Sequence, residues 1–269
     1  MFNFKRIAIL ALTAIAVTPA MLAQGLEVSP VRLDFSLEPG QAETRTVTVR
    51  NTSNKRTIYT LSAADWYLNE EGQVVRQEAN ANKNSCSRWL SFTPALVELG
   101  ANESREVTVS MNVPAGQRAS KWSIAYITIQ KEQEAPQVDK ELAMGIEVNQ
   151  QIGVFVTQSP RSNRNAAAKV KEFKEVTPSG SANRVFALKA QNTGEKILDC
   201  NVYLVISDLQ TATETKLDPV SFRLLPEGTI RQELALPGDL KKGSYMVAAI
   251  LDYGPNYPLE GAQVQVNIK

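Results

Sequence analysis

The stretch ELAMGIEVNQQIGVFV, Glu141–Val156, decides how this chain is read. Leu142, Met144, Ile146 and Val148 alternate with Ala143, Gly145, Glu147 and Asn149, and after Gln150 the same phase resumes at Ile152, Val154 and Val156. Side chains alternate faces along an extended backbone, so a period of two predicts a long β-strand with one apolar face. Strands in compact domains usually run about 5–6 residues, which makes this one about twice as long as its own sheet requires. Two uses of the surplus are open. The strand is packed wholly on its own domain, bent at Gly145 or Gly153, or its first half is offered to another chain.

The same alternation extends outward on both sides. VRLDF (31–35), TRTVTVRN (44–51), RTIYTLSA (56–63), REVTVSMNVP (105–114) and WSIAYITIQ (122–130) are short β-branched runs separated by Gly, Pro, Asn and Asp. A second series follows: KVKEF (169–173), RVFALKAQN (184–192), CNVYLVISD (200–208), TIRQELALP (229–237), GSYMVAAILDYG (243–254) and AQVQVNI (262–268). Turn signals at Thr193-Gly194, Pro226-Glu227-Gly228 and Pro237-Gly238-Asp239 punctuate it. Such spacing predicts antiparallel sandwiches, and Tyr245 after Gly243-Ser244 reads as the corner tyrosine of that architecture. Between the series, SPRSNRNAAA (159–168) reads as a linker.

The chain begins MFNFKRIAILALTAIAVTPAMLAQG, with Lys5 and Arg6 before an apolar run and small Ala23 before Gln24. That order predicts a secretory signal peptide whose apolar run is too short to span a bilayer. The fold class expected is therefore all-β: two tandem immunoglobulin-like β-sandwich domains after an N-terminal signal peptide. The expected divisions are 1–23 for the signal, 24–160 for the first domain and 161–269 for the second.

Composition narrows the function. Formal net charge is +1 over 269 residues, with acids and bases mixed, so there is no electrostatic footprint for nucleic acid or anionic lipid. The chain has no histidine, which removes Ser-His and Cys-His nucleophile pairs and the commonest zinc ligand. No glycine-rich phosphate loop opens a helix. Glu70-Glu71 reads as a solvated hairpin turn, and Asn51 and Asn102 as turn residues. Trp122, Ile124 and Tyr126 alternate as a core face would, and Trp66 and Trp89 read as sandwich packing. Cys86 and Cys200, the two cysteines, fall in different expected domains and read as two buried thiols rather than a bridge. No catalytic residue, metal ligand or cofactor is expected, and the chain reads as a non-enzyme.

Four segments in order resemble the periplasmic chaperones of the chaperone–usher pilus-assembly pathway. VSPVRLDFS (28–36) is similar to their opening strand with its arginine. FTPALVELGANESREVTVS (92–110) resembles their proline- and glycine-marked lead into a strand. VPAGQRASKWSIAYITI (113–129) resembles their proline-to-arginine loop and aromatic strand. IGVFVTQSP (152–160) resembles the end of their first domain. The resemblance covers most of the first domain. It implies that the strand beginning near Leu142 outruns its sheet and is donated to an exported subunit lacking a strand, by backbone pairing and alternate side chains. The lending residues are then Leu142, Met144, Ile146 and Val148.

The resemblance also implies an anchor for the client's terminal carboxylate, made in that family by an arginine on the opening strand and a lysine on the last strand of the first domain. Arg32 falls on the arginine position, with Val31, Leu33 and Phe35 expected on the core face. The lysine position is Gly153, so half of that anchor is absent from this chain. Lys121 or a basic residue of the second domain is the expected substitute.

The function expected is thus a periplasmic assembly chaperone whose partners are an exported pilus or other surface subunit and an outer-membrane assembly partner, with no nucleic acid and no membrane insertion. The alternative is a non-enzymatic structural adaptor of a secretion or cell-surface attachment system.

Overall fold

The computed structural model of the protein describes residues 25–130, 150–181 and 183–268. The signal-peptide reading falls outside them, as do Leu142, Met144, Ile146 and Val148. The described chain is built almost wholly of strands, as the β-branched alternation requires. In the first sandwich these are β1 (Glu27–Ser29), β2 (Arg32–Phe35), β3 (Ala42–Arg50), β4 (Thr57–Leu68), β5 (Val74–Gln77), β6 (Leu90–Thr93), β7 (Leu96–Leu99), β8 (Ser104–Asn112), β9 (Lys121–Gln130) and β10 (Gln151–Gln158). One sheet runs β1-β3-β8-β6 and the facing sheet β2-β10-β9-β4-β5, with β7 also paired to β4.

The second sandwich contains β11 (Ala168–Glu175), β12 (Val185–Asn192), β13 (Leu198–Asp208), β14 (Glu214–Lys216), β15 (Val220–Leu224), β16 (Thr229–Ala235), β17 (Gly243–Asp252) and β18 (Glu260–Ile268). Its sheets run β11-β12-β16 and β14-β13-β17-β18, with β15 also on β13. The fold is two tandem immunoglobulin-like sandwiches, as the alternation predicts. Tyr245 closes the expected corner by donating its hydroxyl to the Lys241 carbonyl at 3.0 Å.

Each sandwich has its own core. Phe35, Val49, Tyr59, Leu99, Met111, Val154 and Val156 fill the first; Phe186, Leu188, Val202, Leu204, Val247 and Leu251 fill the second. Cys86 lies buried in the first and Cys200 in the second, both as free thiols. Burial pushes each thiol up to about 12, because an apolar surrounding disfavours the thiolate.

A third cluster corrects an expectation. Trp66, Trp122, Ile124 and Tyr126 are buried, but not in the sandwich core: they lie on the outer face of the β2-β10-β9-β4-β5 sheet and pack with Leu225 of the second sandwich. The sheet is covered on both faces, so both phases of WSIAYITIQ are apolar and the alternation alone does not say which face is which. The indole of Trp122 donates to the Trp66 carbonyl at 2.7 Å, and that of Trp66 to the Ser123 carbonyl at 3.0 Å.

Two further readings change. The 159–168 stretch is pinned rather than loose: Pro160 and Asn163 are buried, and the Asn163 amide donates to the Glu195 carbonyl at 3.1 Å. The Glu70 turn is docked on the second sandwich, its carboxylate 2.7 Å from Lys189 and its carbonyl 2.6 Å from the Arg231 N–H. Lys83–Glu227 at 2.6 Å adds a second tie. Among the described residues no helix is long and apolar enough to cross a membrane.

Candidate functional site

Strand β10 is the described end of the Glu141–Val156 stretch. Ile152, Val154 and Val156 face the first core as the period of two requires, with Val154 and Val156 fully buried. On one side β10 pairs antiparallel with β9 along its whole length, from Gln151↔Thr128 to Gln158↔Lys121. On the other it pairs parallel with β2 over Phe155–Gln158 alone.

The hydrogen-bond phase shows what this leaves open. In an antiparallel pair, alternate residues direct their N–H and C=O toward the partner. Ile129 donates to the Gln150 carbonyl at 3.0 Å, so the even-numbered residues of β10 address β9. The odd ones address the other side, where the Phe155 N–H meets the Val31 carbonyl at 3.0 Å and the Ser159 N–H meets that of Phe35 at 3.1 Å. Gln151 and Gly153 share that phase. Among the described residues, no strand stands opposite them. Among the described residues, the first half of β10 is therefore an unpaired edge.

β2 ends the free edge. The alternation predicts Val31 on the core face; instead it is 55% exposed. The chain crosses there from β1, paired to β3 in one sheet, to β2, paired to β10 in the other, and the crossing breaks the alternation. Leu33 and Phe35 are buried as expected. Arg32 lies opposite Phe155 on the outer face and is exposed. Among the described residues it has no ion-pair partner. Asp34, its expected neighbour in charge, accepts from the Thr157 hydroxyl at 2.5 Å and lies 3.9 Å from Arg223, which is paired with Asp199 at 2.8 Å.

Gly153 has a steric explanation. A Cβ built on it falls 2.5 Å from Ile124 Cδ1, 3.0 Å from Ile124 Cγ1 and 3.2 Å from Tyr126 Cε1. The isoleucine side chain occupies the volume a lysine stem needs. Lys121 is no substitute: its ammonium donates to the Lys83 carbonyl at 2.8 Å and to Asn84 Oδ1 at 3.2 Å, and burial lowers its pKa. Arg223 is likewise committed to Asp199.

Residues 38–144 match the model of an Fn3-like domain. No curated protein matches the chain. Among solved structures the chain is similar to the class 5 fimbriae chaperone CfaA, with 12% identity, 89% of this chain and 98% of that chain covered, and a TM-score of 0.46. It is similar to the E. coli chaperone DraB, with 12% identity, 90% and 98% covered, and a TM-score of 0.40. A third similar structure is Salmonella enterica SafA pilin in complex with the SafB chaperone, with 13% identity, 89% and 96% covered, and a TM-score of 0.40. At such identities and scores the likenesses carry no function across, and the functional reading rests on the edge itself.

One residue at this face went unnoticed in the sequence. Arg76 of β5 sits opposite Trp66 and lays its guanidinium over the Tyr126 ring, 4.3 Å from the centroid. Its strand neighbours, VVRQ, look like any hairpin return, and nothing local marks the arginine. Among the described residues there is no group of three or more His, Cys, Asp or Glu side chains suited to a metal ion.

Proposed function

We propose that the protein is a non-enzymatic, chaperone-like binder of exported surface or pilus subunits, acting in the periplasm by adding its β10 strand and the residues before it to a client that lacks one strand. The observation that carries this reading is the free edge at Gln151–Val154. Unpaired strand edges are aggregation hazards that proteins normally cover, and a partner strand is a direct way to cover one. Upstream, Leu142, Met144, Ile146 and Val148 continue the apolar phase of Ile152. Burying four such side chains supplies roughly 6–12 kcal/mol gross, at about 1.5–3 each, before ordering costs.

The edge also has a direction. A strand added beside Gln151–Val154 must stop where β2 begins, next to Arg32. A client strand running parallel to β10 brings its C-terminal end there; an antiparallel one brings its N-terminal end. A guanidinium suits a terminal carboxylate and repels an amine, so Arg32 favours the parallel client. The test is recovery of the client from an envelope extract with the mature chain, followed by hydrogen exchange. A one-to-one complex with slowed exchange at the Gln151 and Gly153 N–H groups is expected, and Ile146→Asp abolishes it. Capture of the same client by Ile146→Asp at wild-type yield rules strand donation out.

A second reading, an adaptor in a secretion or surface-attachment system, is favoured by the filled space at Gly153. It predicts a folded partner whose binding survives both Arg32→Ala and Ile146→Asp.

A further inference from the structure

We infer that β18 is a self-association edge: two copies of the chain pair β18 with β18, antiparallel about a two-fold axis at Val264, and join their large second-sandwich sheets into one. β18 (Glu260–Ile268) is an outermost strand, paired with β17 alone. The hydrogen-bond phase shows which of its groups are open. The Ser244 carbonyl of β17 accepts from the Leu209 N–H at 3.0 Å, so the even residues of β17 address β13 and the odd ones address β18. Tyr245 and Val247 stand opposite Val266 and Val264, so the even residues of β18 turn to β17. Gly261, Gln263, Gln265 and Asn267 then turn outward. The Asn267 carbonyl agrees, accepting from the Arg184 guanidinium at 3.1 Å. Among the described residues no strand stands beside this edge.

β18 lacks the devices that close the other edges. Exposed edges are normally blunted by shortness, charge, proline or bulges. The outermost strands β1, β2, β5, β6 and β14 are three or four residues long. β11 carries three lysines and a bulge after Val170, and the Arg231 N–H of β16 is taken by the Glu70 carbonyl. β18 instead runs nine residues in unbroken register with β17, with no proline and no charge after Glu260.

The strand is also complementary to itself. A full nine-residue overlap places Val264 opposite Val264, Gln263 opposite Gln265 and Gly261 opposite Asn267, and both copies keep the same face toward the core. Val264, only partly buried in one copy, meets its twin at a non-hydrogen-bonded pair, where side chains approach most closely. The outward residues exchange N–H···O bonds, and the Asn267 carbonyl has a second lone pair for the Gly261 N–H. Glu260, at one end of the strand, comes to the end that Arg184 holds in the other copy. That match of length, phase and end charges selects a second copy over an unrelated strand.

The experiment is sedimentation equilibrium of the mature chain from about 1 to 100 μM, the range suited to a small interface, with hydrogen exchange at both ends of it. A reversible monomer–dimer equilibrium is expected, with exchange at the Gln263 and Gln265 N–H groups slowed at the higher concentration. Gln263→Lys with Gln265→Lys sets lysine opposite lysine and weakens the dimer at least about tenfold. Gln263→Glu with Gln265→Lys sets opposite charges at the same places and restores it, which separates repulsion from misfolding. Ile146→Asp, on the stretch offered to a client, leaves the dimer unchanged. A chain that stays monomeric throughout overturns the inference, as does a dimer that the two lysines leave intact or that Ile146→Asp abolishes. Growth past the dimer overturns it too, since each copy has one β18.

Discussion

Asn51 and Asn192 occupy equivalent corners of the two sandwiches and share three hydrogen bonds of the same pattern. Both are fully buried. Each amide donates to the carbonyl four residues on, Lys55 at 2.7 Å and Lys196 at 2.8 Å, and to a leucine carbonyl across the corner, Leu99 at 3.1 Å and Leu224 at 3.2 Å. Each side-chain oxygen accepts the N–H two residues on, from Ser53 at 3.0 Å and Gly194 at 2.9 Å. The local sequences NTSNK and NTGEK carry the shared Asn-Thr-x-x-Lys spacing.

Because each asparagine bridges backbone groups at a buried corner, Asn51→Ala and Asn192→Ala are each expected to cost about 1–3 kcal/mol, from carbonyls and N–H groups left without the amide. Urea denaturation of the single variants measures this. A loss under half a kcal/mol at either position would mean that water replaces the amide.

Asp65 should be more costly still. It is fully buried and accepts from the hydroxyls of Ser85 at 2.6 Å, Ser87, and Ser123 at 3.3 Å, and from the Asn82 N–H at 3.0 Å. These bonds tie the 82–87 segment to β4 and β9. Asp65→Ala removes the common acceptor and leaves the buried Ser87 and Ser123 hydroxyls without it, an expected loss of about 3 kcal/mol or more. Limited proteolysis should then cut within 78–89 first.

Filling Gly153 should strain the sheet. Gly153→Ala is expected to destabilise by about 1–3 kcal/mol, since Ile124 must shift out of its rotamer. Ile124→Ala makes room, so in a double-mutant cycle the alanine at 153 should cost markedly less beside it. Additive costs would show that the clash is relieved elsewhere.

The buried thiols set an alkaline limit. For Cys86 and Cys200 the folded value, about 12, lies above the ordinary 9.0, so the folded chain holds these protons more tightly. Their contribution is complete below about pH 9 and is lost as pH rises toward 12. Between those values stability should fall more steeply in the wild-type chain than in a Cys86→Ala, Cys200→Ala double variant. Parallel slopes for the two would assign the alkaline loss to tyrosines instead.

Much of the fold was legible in the residue pattern because strand burial repeats every second residue. Val47 and Val49, Val107 and Val109, and Val202 and Leu204 are all core residues at the spacing that their runs predict. The corner tyrosine was legible too, since its hydroxyl bonds only four residues back. The outer face of the β9 sheet was not: Trp122, Ile124 and Tyr126 look like core residues, and they are buried, but by Leu225, far along the chain. Asn51 stands at its turn, but its full burial was not legible, because its partners at Leu99 and Gly100 are distant in sequence.

What the amino-acid order determined alone is the extended phase of β10 and the bare position at Gly153, because both are local properties of the backbone and its side chains. Only the tertiary structure decided that β2 covers half of that strand and that, among the described residues, no strand covers the other half. It alone filled the lysine's space with Ile124, and it brought Arg76 over Tyr126 from another strand. Strand neighbours and interlocking side chains are set by contacts between distant segments, and such contacts leave no periodic trace in the chain.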